Sequence, residues 1–162
     1  MTALLVRPMQ AHDLPALHAL QCRAYAPGYH EPEAALASRL GAPGALCFVA
    51  WRGTQAAGYV FAHPWAGTPP ALHAALPSCG APDHLFIHDL AVCPAQRGSG
   101  AAAGLLDRLL NATQAAGLAQ ARLVAVADAV AFWQRHGFAA QPGTLHASYG
   151  RALYMARTLS RI

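Results

Sequence analysis

The chain contains no lysine, so its eleven fixed cations are all arginines. Only seven carboxylates stand against them, and charged residues make up 11% of the 162 positions. A Walker-type phosphate loop is excluded, because that loop needs a lysine after its glycines. The arginines are scattered rather than gathered into a stripe, which speaks against a nucleic-acid partner, although a net charge of +4 still favours an anionic ligand. Long apolar runs are also missing. Of the residues 55% are hydrophobic, but much of that is alanine, and no stretch approaches the roughly 20 residues of a membrane span. Met1 to Gln10 lacks the apolar core of a secretory signal, so a cytoplasmic protein with no membrane partner is expected. Cys22, Cys47, Cys79 and Cys93 are far apart and form no C-x-x-C pair, which argues against a zinc site and a disulfide scaffold. Without repeats or a low-complexity tail, the length suits one domain, 1–162.

Strands and helices alternate along the chain. Leu4 to Val6 reads as an opening strand, and Asp13 as the N-cap of a helix with Leu14, Leu17, Leu20 and Ala24 on its buried side. Pro27 and Gly28 stop that helix. Glu31 to Leu40 reads as a second one, with Pro32 in its first turn and Gly41 past its end. Ala45 to Trp51 and Ala57 to His63 form a hairpin. Prolines and glycines from Pro64 to Pro82 predict a surface loop or lid, with one helical turn over 72–76. Leu85 to Val92 is the central strand, Gly100 to Ala116 a long helix ended by Gly117, and Arg122 to Val126 a strand parallel to the central one. Asp128 as N-cap and Gly137 frame a short helix, after which Phe138 to Ala140 and Ala152 to Ala156 close the sheet. The order predicts an α/β (mixed α+β) fold, a central mixed twisted sheet of about seven strands flanked by helices on both faces.

The stretch from Ile87 to Leu110 carries the chemistry. Gly98 and Gly100 flank Ser99, and with no Cβ they let successive backbone N–H groups face one concavity at the positive end of a helix dipole. Leu105, Leu106, Leu109 and Leu110 anchor that helix on one face, and Arg97 stands beside the turn as a cation for a phosphate oxygen. The segment is not a dinucleotide fingerprint, because Ala103 occupies the third glycine slot. A tight turn with no ligand is the plain alternative for R-G-S-G-A-A.

Val92, Pro94, Arg97, Gly100 and Ala102 fit V-x-P-x-x-R-x-x-G-x-A, which resembles the acyl-coenzyme A signature of the GNAT superfamily of N-acetyltransferases. A second block, A-D-A-V-A-F-W-Q-R-H-G-F from Ala127 to Phe138, resembles that superfamily's F-Y-x-x-x-G-F segment, with Trp133 in place of the tyrosine. The resemblance covers nearly the whole chain and implies a single GNAT-like domain. It implies acetyl-coenzyme A as cosubstrate, with no metal. The cofactor would lie against Leu90, Ala91 and Val92, the turn Arg97, Gly98, Ser99, Gly100, Ala101, Ala102 and Ala103, then Asp128 and Trp133. Asp128 is the nearest polar residue to the asparagine that many members carry before the second block.

Direct attack on the thioester by a primary amine requires a base. With a pKa of about 10.4, only about one amine in 10³ is neutral at pH 7, a handicap of roughly 4 kcal/mol. His88 is the first candidate. It lies in H-D-L-A-V, which resembles the H-A-L-A-V strand of the arylalkylamine N-acetyltransferases, where the matching histidine helps deprotonate the amine, and its ordinary pKa of about 6.5 suits the task. A hydrogen-bonded strand residue is the alternative. Asp89 faces the other way in a regular strand, but a β-bulge near Leu90, common in this superfamily, would make it a second base or an amine anchor. His84 and His88 share a face without a third ligand, which does not make a metal site. Phe86 fills a position where some members carry a catalytic glutamate. The resemblance also implies that backbone N–H groups of Leu90 to Val92 meet the oxyanion.

Trp133 cannot serve as the usual tyrosine acid. Tyr154 or Tyr149 could substitute from the last hairpin, with packing as the alternative role. A thiolate with a pKa of about 8.5 is in any case a tolerable leaving group. Tyr25, Tyr29 and Glu31, with His63 and Trp65, match regions that wall the acceptor site, and a carboxylate among aromatics suits a cationic amine. Helix capping is the alternative for Glu31. The expected function is acetyl transfer to a small-molecule amine. Protein N-termini or lysines as acceptors, a non-catalytic acyl-coenzyme A-binding module, and a homodimer stay open.

Overall fold

The computed structural model describes residues 2–72, 76–77, 80–126 and 128–159. The expected helical turn over 72–76 and Cys79 fall wholly or partly outside these residues. The elements run β1 (Leu4–Pro8), a 3-10 turn (Ala11–Asp13), α1 (Leu14–Ala24), a 3-10 turn (Pro27–Tyr29), α2 (Glu33–Leu40), β2 (Phe48–Arg52), β3 (Gln55–Trp65), β4 (His84–Val92), a 3-10 turn (Pro94–Gln96), α3 (Ala101–Ala115), β5 (Gln120–Val126), α4 (Val130–Arg135), β6 (Ala139–Ala140) and β7 (Ala152–Thr158). The strands form one mixed seven-stranded sheet in the order β1-β2-β3-β4-β5-β7-β6.

Two apolar clusters cover the two faces. On one, Leu105, Leu106 and Leu109 of α3 pack with Leu85, Ile87, Leu123 and Met155, joined by Trp133 and Phe138 from the α4 region. Each fully buried leucine contributes about 1.5–3 kcal/mol. On the other, Leu14, Leu17 and Leu20 of α1 and Leu36 of α2 pack on Val49, Tyr59, Phe61 and Ala91. Gly58 lies where α3 presses on the sheet. A Cβ there would stand 2.8 Å from the Ala91 carbonyl oxygen and 3.1 Å from Leu105 Cδ1.

Several boundaries depart from expectation. β3 runs on through Pro64 and Trp65, so the proline-rich segment begins inside the sheet. Asp13 does not cap α1 with its side chain; its carboxylate accepts from the Gln10 N–H at 2.8 Å and from both terminal nitrogens of Arg7 at 2.8 Å. Pro32 is the N-cap of α2. Asp128 does not cap α4, whose N-cap is Ala129, and no side chain bonds there.

The pairing of β4 makes the site. β4 pairs with β5 in parallel only from Leu85↔Ala121 to Ile87↔Leu123; beyond that register the two strands no longer pair with each other, and a cleft opens between them. Along β3 the register shifts between Phe61↔Asp89 and Ala62↔Ile87, so His88 is the extra residue of a bulge. Among the described residues no helix is long and apolar enough to cross a membrane.

Candidate active site

One cavity of about 770 Å³ runs from the start of α3, between β4 and β5, to the ends of α1 and the segment ahead of α2. At its α3 end, Gly98 and Gly100 adopt φ of +79° and +90°, a left-handed region that favours glycine. A Cβ built on either meets nothing within 4 Å, so the backbone is open to an approaching group. The Gly104 N–H is the first to close a helical bond, to Gly100; the N–H groups of Ala101 to Ala103 precede it, at the positive end of a 15-residue helix. Arg97, Gly98, Gly100, Ala101, Ala102 and Ala103 all line the cavity, whereas Ser99 does not, and its N–H bonds to Gln96 instead. Open space beside first-turn N–H groups is the geometry that an anion-binding turn requires.

The middle of the cavity is the cleft. Leu90, Ala91 and Val92 line it from β4, Val124 and Val126 from β5, and Asp128, Phe132 and Trp133 from the α4 region. Trp133 is buried edge-on between Phe132 and Phe138, with ring centroids 5.0 and 5.3 Å away. Arg135 and His136 also face this end.

At the far end the bulge brings together two residues that simple alternation would separate. Phe86 and His88 lie on the α1/α2 face with His63, the His88 ring 5.4 Å from Phe86 and 5.9 Å from His63. Asp89 follows on the same face, with Oδ2 accepting from the Tyr59 hydroxyl at 2.5 Å and from Gln21 Nε2 at 3.2 Å. Both His88 and Asp89 line the cavity. Neither His88 ring nitrogen has a partner among the described residues.

Their surroundings drive the two groups apart. Burial, then the Arg39 charge and His63, push the His88 pKa well below its ordinary value, so the ring is neutral near pH 7. Burial pushes Asp89 up; hydrogen bonding by Tyr59, Tyr25 and Gln21 pulls it back and the Glu31 charge adds to the rise. His63, buried beside them, is pushed down to about 4, mainly by burial. Enclosure and the Asp89 charge raise Tyr25 and Tyr59 well above the usual phenol value.

The other expected site residues divide. Tyr25, Tyr29 and Glu31 line the cavity, whereas His63, Trp65 and Tyr154 do not. Glu31 forms an ion pair with the fully buried Arg39, which satisfies the charge expected to meet an amine. Trp65 turns its indole N–H to the Thr68 carbonyl. Tyr154 packs against Gly143, and its hydroxyl accepts from Arg122. Tyr149 does reach the cavity, with its hydroxyl donating to the Pro70 carbonyl at 2.5 Å. Among the described residues no group of three or more His, Cys, Asp or Glu could hold a metal ion.

Sequence reasoning missed Gln21 and Tyr59. A signal for Gln21 was present: with Leu17, Leu20 and Ala24 it shares the buried stripe of α1 as the one polar member of that group, and it is fully buried. Tyr59 precedes Phe61 and His63 at alternate positions of one strand, a pattern that reads equally well as core.

The model of the acetyltransferase (GNAT) family matches residues 14–138. No curated protein matches the chain in sequence. Among solved structures, the ribosomal-protein-S18-alanine N-acetyltransferase of Escherichia coli is 20% identical with a TM-score of 0.76, covering 99% of this chain and 96% of its own. The GphF GNAT-like decarboxylase, in complex with isobutyryl-CoA, is 20% identical with a TM-score of 0.79 over 96% and 100%. The PaiA N-acetyltransferase of Thermoplasma acidophilum, in complex with coenzyme A, is 13% identical with a TM-score of 0.73 over 96% and 99%. At these identities the likeness is one of fold.

Proposed function

The chain belongs to the GNAT family of acetyltransferases and is an acyltransferase, and from that premise we propose that it transfers an acetyl group from acetyl-coenzyme A to a primary amine of a small molecule by direct attack. The observation that carries this reading is the continuity of the cavity, which joins the anion cradle of Gly98 to Ala103 to the bulge at His88 and Asp89. The cradle fits a pyrophosphate, because its glycines leave open space beside first-turn N–H groups. Acetyl-coenzyme A would supply the activated thioester; the chain's residues orient it and manage the amine's proton.

Asp89 fits the base's task better than His88. An efficient base has a pKa near the working pH, and burial moves the Asp89 carboxyl up toward that range and moves His88 away from it. With Glu31 engaged by Arg39, Asp89 is also the carboxylate left at that end of the cavity to meet an arriving ammonium. His88, neutral and with both ring nitrogens unpartnered, can hydrogen-bond the acceptor. Trp133, which lines the cleft, would stand beside the bound thioester, and no tyrosine acid is required for a thiolate to leave.

Thiol release on a panel of small amines and a peptide N-terminus tests the reading. Asp89→Asn should lower kcat/KM by about 10²- to 10⁴-fold with the affinity for acetyl-coenzyme A unchanged. His88→Ala should raise KM for the amine and leave the acid limb of the pH profile where it was. Tight cofactor binding with no turnover on any amine would contradict the enzyme reading and favour an acyl-coenzyme A-binding module.

A further inference from the structure

Asp89 is held from two sides of the fold by groups that do not line the cavity. From β3 the Tyr59 hydroxyl donates to Oδ2 at 2.5 Å. From α1 the Gln21 amide donates to the same oxygen at 3.2 Å. The orientation of that amide is set by a third bond: Gln21 Oε1 accepts the Glu31 backbone N–H at 2.7 Å, so its nitrogen end has to face the carboxylate. Gln21 is fully buried, as is Tyr59. Both donors therefore fall on Oδ2, and the Tyr25 hydroxyl, which donates to the Leu90 carbonyl at 2.6 Å, also stands near enough to favour the ionised carboxylate.

We propose that Tyr59 and Gln21 are positioning residues, which fix Oδ2 of Asp89 so that Oδ1 receives the proton leaving the acceptor's nitrogen. The proposal rests on Asp89 as the base and extends it to one residue of the neighbouring strand β3 and one of α1. Its physical content is that donors to a carboxylate favour the ionised form, so the pair also decides the pH at which the base becomes available. The titratable groups facing Asp89 are Tyr59, Tyr25, Glu31 and its neighbour His88. Both phenols stay neutral well past neutrality, Glu31 is paired with Arg39, and His88 is neutral near pH 7. The proposal assigns the acid limb to Asp89.

The test compares wild type with Tyr59→Phe and Gln21→Glu. Removing the phenol hydroxyl should move the acid limb of kcat/KM up by about one to two pH units and leave the high-pH plateau within a few-fold of wild type. Gln21→Glu keeps an acceptor for the Glu31 N–H but sets a second acid against Asp89, and should move the limb up as well. Carbon-13 titration of the aspartate carboxyls, with the Asp89 signal assigned by its loss in Asp89→Asn, reads the same shift without turnover. A uniform fall in kcat with an unmoved limb, or an Asp89 signal that titrates identically in wild type and Tyr59→Phe, overturns the positioning role. Full activity in Asp89→Asn would overturn the base itself, and with it this extension. The two failures are told apart by the carboxyl titration.

Discussion

Asp13 and Asp89 are both enclosed by protein, and their carboxyl pKa values move in opposite directions. Asp13 accepts two bonds from Arg7 and one from the Gln10 N–H, and the Arg7 bonds in particular hold its carboxyl below the usual range. A lowered folded-state pKa contributes stability that is complete above the unfolded value, about pH 4, and is lost as pH falls through the folded one. Asp13→Asn should therefore cost roughly 2 kcal/mol at pH 7, and the difference in denaturant midpoint from wild type should shrink as the buffer is made more acid than pH 4. A gap that persisted at low pH would mean that shape, not charge, holds this corner. Asp89 lacks any such cation and rises instead. The residue types were legible in the chain, since an acid before a helix and an H-D pair in a strand both invite attention. Their partners were not: Arg7 lies six residues from Asp13, and Tyr59 and Gln21 lie 30 and 68 residues from Asp89, distances over which no local pattern operates.

Among the elements, β4 carries the most information. Alternation along a regular strand opposes His88 and Asp89, and only the bulge against β3 sets them on one face. A sequence states the two options but not the choice, because a bulge depends on the partner strand's register. The splay of β5 from β4 past Ile87↔Leu123 is equally invisible in either strand alone. Gly58 binds the same region from behind: a methyl there would press on the Ala91 carbonyl, a backbone atom that cannot rotate away. Gly58→Ala should destabilise the protein by about 1–3 kcal/mol and lower its thermal midpoint. An unchanged midpoint would show that β3 and β4 have slack at this crossing.

For the whole molecule, element order and sheet composition follow from periodicity and turn residues, and the seven strands appear as expected. The glycine turn and the leucine-anchored helix behind it were legible too, since each is a local pattern. The end of the cavity beside His88 and Asp89 was legible only in fragments. It gathers the end of α1, the segment before α2, the β4 bulge and Tyr149 from near the C-terminus, so its charge balance emerges only on folding; Glu31 met Arg39 there rather than standing free. The account depends on the cradle gripping an acyl-coenzyme A so that its thioester lies in the cleft beside Asp89. Calorimetric titration of acetyl-coenzyme A into wild type and Gly100→Val tests it directly, since valine at φ +90° is strained by about 1–3 kcal/mol and puts a side chain into the anion's approach. The account predicts binding weakened at least about tenfold with the circular-dichroism spectrum retained; wild-type affinity in Gly100→Val would contradict it.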